Sequence, residues 1–240
     1  MNNSTADKVK SLNFLAEGIN PTIIYNEGWM IRLLVMESMI EKLQINKVDF
    51  GLLATKNWSS EALITSPFVE AKVNKEGYTH ADIILGDFSV NYNERGDINL
   101  NDSPDVLGII EAKMGSNLST GTSNADNYNQ ASRSICCLSY VTRKNPNCKL
   151  FFIVAAPEAT INKYSIKKQV ERENILTQIG DRFKHSEEPY MSEIKNQVEK
   201  CKLVIINYED WLKELRNSEV QKMLYDFYKE CLKSNNIKDI

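Results

Sequence analysis

Apolar runs of strand type at Thr79 to Val90, Val106 to Lys113, Lys149 to Ala155 and Lys202 to Asn207 alternate with stretches of helical spacing. A run such as Leu150-Phe-Phe-Ile-Val-Ala has no polar face to offer to water, so its strand must be covered on both sides. Helical stretches of sufficient length lie between the runs. From Tyr25 to about Leu43, Ile31, Leu34, Val35 and Met39 recur at helical spacing, with Asn26 or Thr22 placed to cap. Helix is also predicted from about Ala125 to Thr142, over much of 161–200 with a break around His185 to Pro189, and from Tyr208 to Leu232. A shorter strand, Leu63 to Val69, contains Ser66-Pro67, which suits an edge. The order is helix, three strands, helix, strand, helices, strand, helices. It predicts an α/β chain with a central mixed sheet flanked by helices.

With 240 residues, 42% of them hydrophobic, the chain can bury one sizeable core, and residues 1–240 are read as one domain. Its core spans about 22–157 plus the strand at 202–207, with a helical insertion at about 161–200. No apolar run approaches the roughly 18 residues of a membrane span, and the N-terminal residues lack the apolar stretch of a signal peptide. A soluble, cytoplasmic protein with no membrane partner is expected. The cysteines, Cys136, Cys137, Cys148, Cys201 and Cys231, are odd in number and contain no C-x-x-C pair, so buried thiols are expected rather than zinc ligands.

The net charge of -3 rules out a surface that is basic throughout, so any nucleic-acid contact must be local. Charge is unevenly placed. Residues 82–113 carry seven acids against two basic residues, whereas 142–203 carry twelve basic residues against eight acids. An acidic metal pocket beside a basic flank for phosphate would give this asymmetry.

Chemistry concentrates on two neighbouring strands. Glu111 and Lys113 are two residues apart at the end of an apolar strand, so both project from one face. Asp82 interrupts the apolar run Ala81 to Leu85. Charges in runs fit for burial are costly unless paired or bound to metal. Two carboxylates beside a lysine suit Mg²⁺, a hard cation that prefers oxygen, and can position water for attack on a phosphodiester.

Ala81-Asp82 followed by Glu111-Ala-Lys113 resembles the signature of the PD-(D/E)xK nuclease superfamily, with Ala81 in place of the proline. The order of elements over residues 22–157 resembles that family's core. The resemblance implies a restriction-endonuclease-like three-layer fold and a Mg²⁺- or Mn²⁺-dependent endonuclease. Asp82 and Glu111 would be metal ligands, the Ala112 carbonyl a further ligand, and Lys113 the group that orients or activates water. It implies DNA before RNA as substrate and allows a restriction or defence role. Glu27, on the first predicted helix, would add an acid to the metal site, and Gln130 on the helix after Lys113 would touch the site. Some branches place a tyrosine four residues beyond that glutamine, where this chain has Ser134. The basic residues Lys163, Lys167, Lys168 and Arg172 are candidates for backbone contact, and the insertion that carries them for a homodimer contact. The alternative is a catalytically silent nuclease-fold module that binds nucleic acid or a protein partner.

Other constellations point elsewhere. Gly115 to Ser123 lacks the ending of a phosphate-binding loop, and no G-x-S-x-G elbow occurs. His80 is expected to be a structural histidine, Tyr128 is a weaker edge candidate, and Trp29, Trp58 and Trp211 are expected in the core.

Overall fold

A computed structural model describes residues 4–237 except 73, 94, 122–124 and 185–188. Its helices and strands run in chain order α1 (Thr5–Ala16), α2 (Glu27–Ile40), β1 (Gln44–Ile45), β2 (Val48–Asp49), α3 (Phe50–Leu53), β3 (Asn57–Thr65), β4 (Tyr78–Gly86), β5 (Phe88–Val90), β6 (Ile98–Leu100), β7 (Val106–Ala112), α4 (Gln130–Val141), β8 (Lys149–Ala156), α5 (Glu158–Lys163), α6 (Ile166–Gln169), α7 (Arg172–Lys184), α8 (Met191–Lys200), β9 (Lys202–Asn207), α9 (Tyr208–Glu214) and α10 (Ser218–Ser234). The central sheet has five strands in the order β3-β4-β7-β8-β9. The pairs β3-β4 and β4-β7 are antiparallel, and the pairs β7-β8 and β8-β9 are parallel.

Each buried strand divides its side chains between two cores. Along β7, Val106, Ile110 and Ala112 join α1, α2, α3, α9 and α10 on one face, while Leu107 and Ile109 join α4, α5, α6, α7 and α8 on the other. Glu111 and Lys113 therefore project toward the α4 side. Burying such an aliphatic side chain is worth about 1.5–3 kcal/mol, which is why a run apolar on both faces settles in the middle of a sheet. Among the described residues, no helix is long and apolar enough to cross a membrane.

Several boundaries differ from the sequence expectation. Helix α1 was not expected; it buries only Thr5, Val9 and Leu12, too few to give a clear periodic signal. Asn26 does cap α2, accepting from the Trp29 N–H at 3.0 Å. Strand β3 begins at Asn57 and stops before Pro67, whose missing N–H could not continue the ladder. The strand expected at Thr79 to Val90 breaks at Gly86, and α4 starts at Gln130, five residues later than expected, where the Asn129 side chain caps it. The break expected around His185 falls largely outside the described residues. All five cysteines are buried and unbridged, Trp211 lies in the core donating to Ser38 Oγ at 2.9 Å, and Trp58 is partly exposed.

Gly86 lets β4 approach β7. At φ +141° it occupies a conformation that side chains rarely adopt, and a Cβ there would lie 2.2 Å from the Val106 carbonyl oxygen, a backbone atom. Gly96 also has positive φ, +77°, but faces open space. Gly96→Ala is expected to cost about 1–2 kcal/mol from the backbone alone. Gly86→Ala adds the backbone clash and should lower the melting temperature far more; equal losses in thermal denaturation would show that the close approach is unimportant.

Candidate active site

The site lies where β4 and β7 part. Their pairing runs from Gly86↔Leu107 to Ile83↔Ile110 and ends there, one step before Asp82 would face Glu111. Ala81 packs in the α4-side core and Ile83 in the α2-side core, although a regular strand would put both on one face. The chain thus turns over at Asp82. Glu61, between the β3 residues paired with Ile83 and Ala81, has a left-handed φ of 57°. The irregularity therefore crosses two strands at one level.

Asp82 replaces a lost backbone partner. Its Oδ2 accepts from the Ala112 N–H at 2.7 Å, and the Lys113 ammonium lies 3.9 Å from the same oxygen. An aspartate on β4 thus holds the backbone of the Glu-x-Lys segment. Lys113 is nearly buried, and its own N–H donates to the Ala155 carbonyl at 2.8 Å, fixing the strand end against β8.

Glu111 is wholly buried, and α4 supplies a donor to each of its oxygens. Gln130 Nε2 donates to Oε2 at 2.7 Å, and Ser134 Oγ donates to Oε1 at 2.8 Å. Residues four apart on a helix share a face, so one turn of α4 presents both groups. Burial pushes the Glu111 carboxyl up to about 8, reinforced by the negative charge of Asp82 and opposed by Lys113, the Ser134 hydrogen bond and Arg133.

Four of the sequence candidates, Asp82, Glu111, Lys113 and Gln130, therefore meet in one place, and the Ala112 backbone joins them. Ser134, where the resemblance calls for a tyrosine, joins them through Glu111, and its four-residue offset from Gln130 is the sequence signal for that. Glu27 starts α2 on the opposite side of the sheet. The Tyr208 phenol, at the start of α9, is buried with no hydrogen-bond partner among the described residues, and burial followed by the charges of Glu27 and Asp82 pushes its pKa well up. Both carboxylates act on that phenol, which sequence reasoning had no reason to single out. Among the described residues, however, no three acidic, histidine or cysteine side chains gather closely enough to hold a metal ion.

The remaining candidates separate. Asp87 and Asp105 bind Lys56 at 2.8 and 3.2 Å, so the acidic segment 82–113 is not one pocket. His80 is exposed rather than structural, and Tyr128 is buried in the α4-side core. Arg172 is not free for a ligand: its guanidinium donates to the Val198 carbonyl and, at 2.7 Å, to that of Cys201, closing the end of α8. Lys163, Lys167 and Lys168 are exposed. Their helices are tied to the loop after Lys113 by Thr160 Oγ1 to the Met114 carbonyl at 2.7 Å, the Tyr164 hydroxyl to the Gly115 carbonyl at 3.1 Å, and Gln169 to Asn117 at 2.8 Å. The helices that carry the lysines thus pack against the loop that leaves the site, and Lys167 lines a cavity with Glu158 and Asp210. No protein-family profile, curated protein or solved structure matches the chain.

The raised Glu111 pKa fixes a sign. The folded chain retains a proton that the unfolded carboxyl releases near its ordinary 4.5, so folding should weaken as pH rises from 4.5 toward 8. Glu111→Gln removes this term and keeps hydrogen-bonding groups for Gln130 and Ser134. Its melting temperature should gain on that of the unaltered chain between pH 5 and pH 8, in metal-free buffer; a constant difference over that range would refute the assignment.

Proposed function

We propose that the chain is a divalent-metal-dependent nuclease of the PD-(D/E)xK type, with a restriction-endonuclease-like fold and DNA as its substrate. The observation that carries the reading is the meeting of Asp82, Glu111 and Lys113 where paired strands separate, with a buried carboxylate held by two donors from the next helix. A structural ion pair needs no such opening in a ladder.

The donor set fits a hard cation. Once the cation displaces its proton, each Glu111 oxygen accepts one hydrogen bond and keeps a lone pair, and Asp82 receives both its contacts on Oδ2. Asp82, Glu111 and the Ala112 carbonyl would hold Mg²⁺ or Mn²⁺, with water completing a shell that Mg²⁺ surrenders reluctantly. When bound, the ion supplies positive charge against the phosphate and makes water more acidic. Lys113 would orient the attacking water and counter charge on the phosphoryl oxygens, and its burial strengthens both effects. Gln130 and Ser134 fix the Glu111 carboxylate, so they are positioning residues. Lys163, Lys167 and Lys168 give the phosphate backbone a positive flank beside the site.

Cleavage of supercoiled plasmid, single-stranded DNA and RNA in Mg²⁺, Mn²⁺ or EDTA tests the reading. Asp82→Asn is preferable to alanine, because alanine leaves the Ala112 N–H without an acceptor at a cost of about 1–3 kcal/mol. Metal-dependent cutting should be lost in Asp82→Asn and fall at least about 100-fold in Lys113→Ala. Gln130→Ala should lower it about 10–100-fold. Failure of the unaltered chain to cut any of the three would sink the nuclease reading in favour of a binding module.

Charge reversal at Lys163, Lys167 and Lys168 tests the flank separately. It should weaken DNA binding, measured in EDTA, and flatten its salt dependence by about one unit of log–log slope per lysine. An unchanged slope would place the nucleic acid elsewhere.

A further inference from the structure

Far from the carboxylates, at the N-terminal ends of the parallel strands, a cavity of about 530 Å³ opens between the β1-β2 hairpin with α3 and the starts of β8 and β9. Val106 lines it, and the six residues from there to Ala112 span about 20 Å at strand rise. It is thus separate from the proposed nuclease site. Four lysines surround the cavity: Lys47, Lys149, Lys200 and Lys202. Its acid, Asp49, is committed, accepting from the Leu52 N–H at 3.0 Å and from Gln44 at 3.3 Å. Lys200 donates to the Pro146 carbonyl at 3.3 Å. Among the described residues, no ion pair joins Lys47, Lys149 or Lys202 to a carboxylate. The apolar part of its lining includes Leu52, Leu53, Val106 and Phe151. The Phe151 ring lies against Gly108, where a Cβ would come within 2.2 Å of it.

We infer that this cavity is a second ligand site, which takes a nucleotide with its base against the apolar lining and its phosphates among Lys47, Lys149 and Lys202. The chemistry selects that class. Ammonium groups without carboxylate partners around one cavity call for several negative charges on one ligand, which a phosphate chain carries and a fatty acid does not. A flat aromatic body suits the apolar lining, whereas a peptide would bring backbone amides that such a lining cannot satisfy. The volume falls in the range of small-molecule sites, roughly 300–1,000 Å³.

Two further observations agree. Lys202 has its pKa lowered by partial burial and then by the charge of Lys47, so the two ammonium groups repel across the cavity and a bound phosphate would relieve both. Asn46 and Lys47, which connect the short strands of the hairpin, have φ of 48° and 64°. A two-residue turn of that hand favours glycine at its second position. Lysine occupies it at a cost in backbone strain, as happens where a side chain is needed for function.

ATP binding followed by calorimetry in EDTA tests this site apart from the nuclease reading, since no metal is present to hold phosphate at Asp82 and Glu111. ATP should bind about tenfold more tightly than inorganic pyrophosphate, because the base buries apolar surface that pyrophosphate lacks. Lys47→Gly should melt at the same or a higher temperature, its turn relieved, yet bind ATP at least about tenfold more weakly. Lys202→Gln should weaken ATP similarly, and Asp82→Asn should leave it unchanged. Equal affinity for ATP and pyrophosphate would overturn the inference, as would undiminished ATP binding by Lys47→Gly. Displacement of ATP by a short DNA duplex, with Lys47→Gly impaired only for the duplex, would instead make the lysines a nucleic-acid track.

Discussion

The carboxylate of Glu111, buried at the end of β7, is the constraint around which this end of the molecule is organised. A carboxyl without solvent is expensive in its charged form, and the surrounding structure answers that cost with Gln130 and Ser134 from α4 and with the charge of Lys113. These contacts also tie strand to helix. The first turn of α4 can sit only where its amide and hydroxyl reach the two oxygens, so the register of the helix on the sheet is set by polar geometry as well as by packing.

An opening beside that carboxylate requires the sheet to stop pairing without leaving its backbone unsatisfied. Asp82 does both: its carboxylate takes the Ala112 N–H that the ladder has abandoned, and the turnover of β4 at this residue sends Ala81 and Ile83 to opposite cores. One side chain therefore preserves the fold and lines the gap. At the other end of β4, Gly86 permits the close approach to Val106 that brings the strands together before they part.

What could be read beforehand follows from which signals are local. Strands buried on both faces announce themselves, and β8 and β9 begin and end within a residue of their expected limits. Asp82, Glu111 and Lys113 were legible because charge inside an apolar run is conspicuous. Segments whose structure depends on distant partners were not legible: residues 125–129 continue the polarity of α4 but yield to the Asn129 cap, and α1 packs too few apolar residues to show a period. Arg172 looked like a ligand contact because the sequence shows its charge and not the α8 carbonyls that consume it. The Tyr208 phenol, forced to share its surroundings with Glu27 and Asp82, carries no mark in the sequence at all.

Net charge is uninformative for a physical reason, since it averages over groups that lie far apart along the sheet. Asp82 and Glu111 stand at one end of the β4-β7 pair, while Lys149 and Lys202 open β8 and β9 at the other end of the sheet, joined there by Lys47 from the hairpin. At roughly 20 Å, twice the screening length of about 10 Å at 0.1 M salt, neither group neutralises the other. Each end therefore keeps its own local field, and at the lysine end Asp87 and Asp105 are already committed to Lys56. A chain with an overall charge of -3 can thus hold a local group of lysines, and the sheet's length, more than its composition, makes that separation possible.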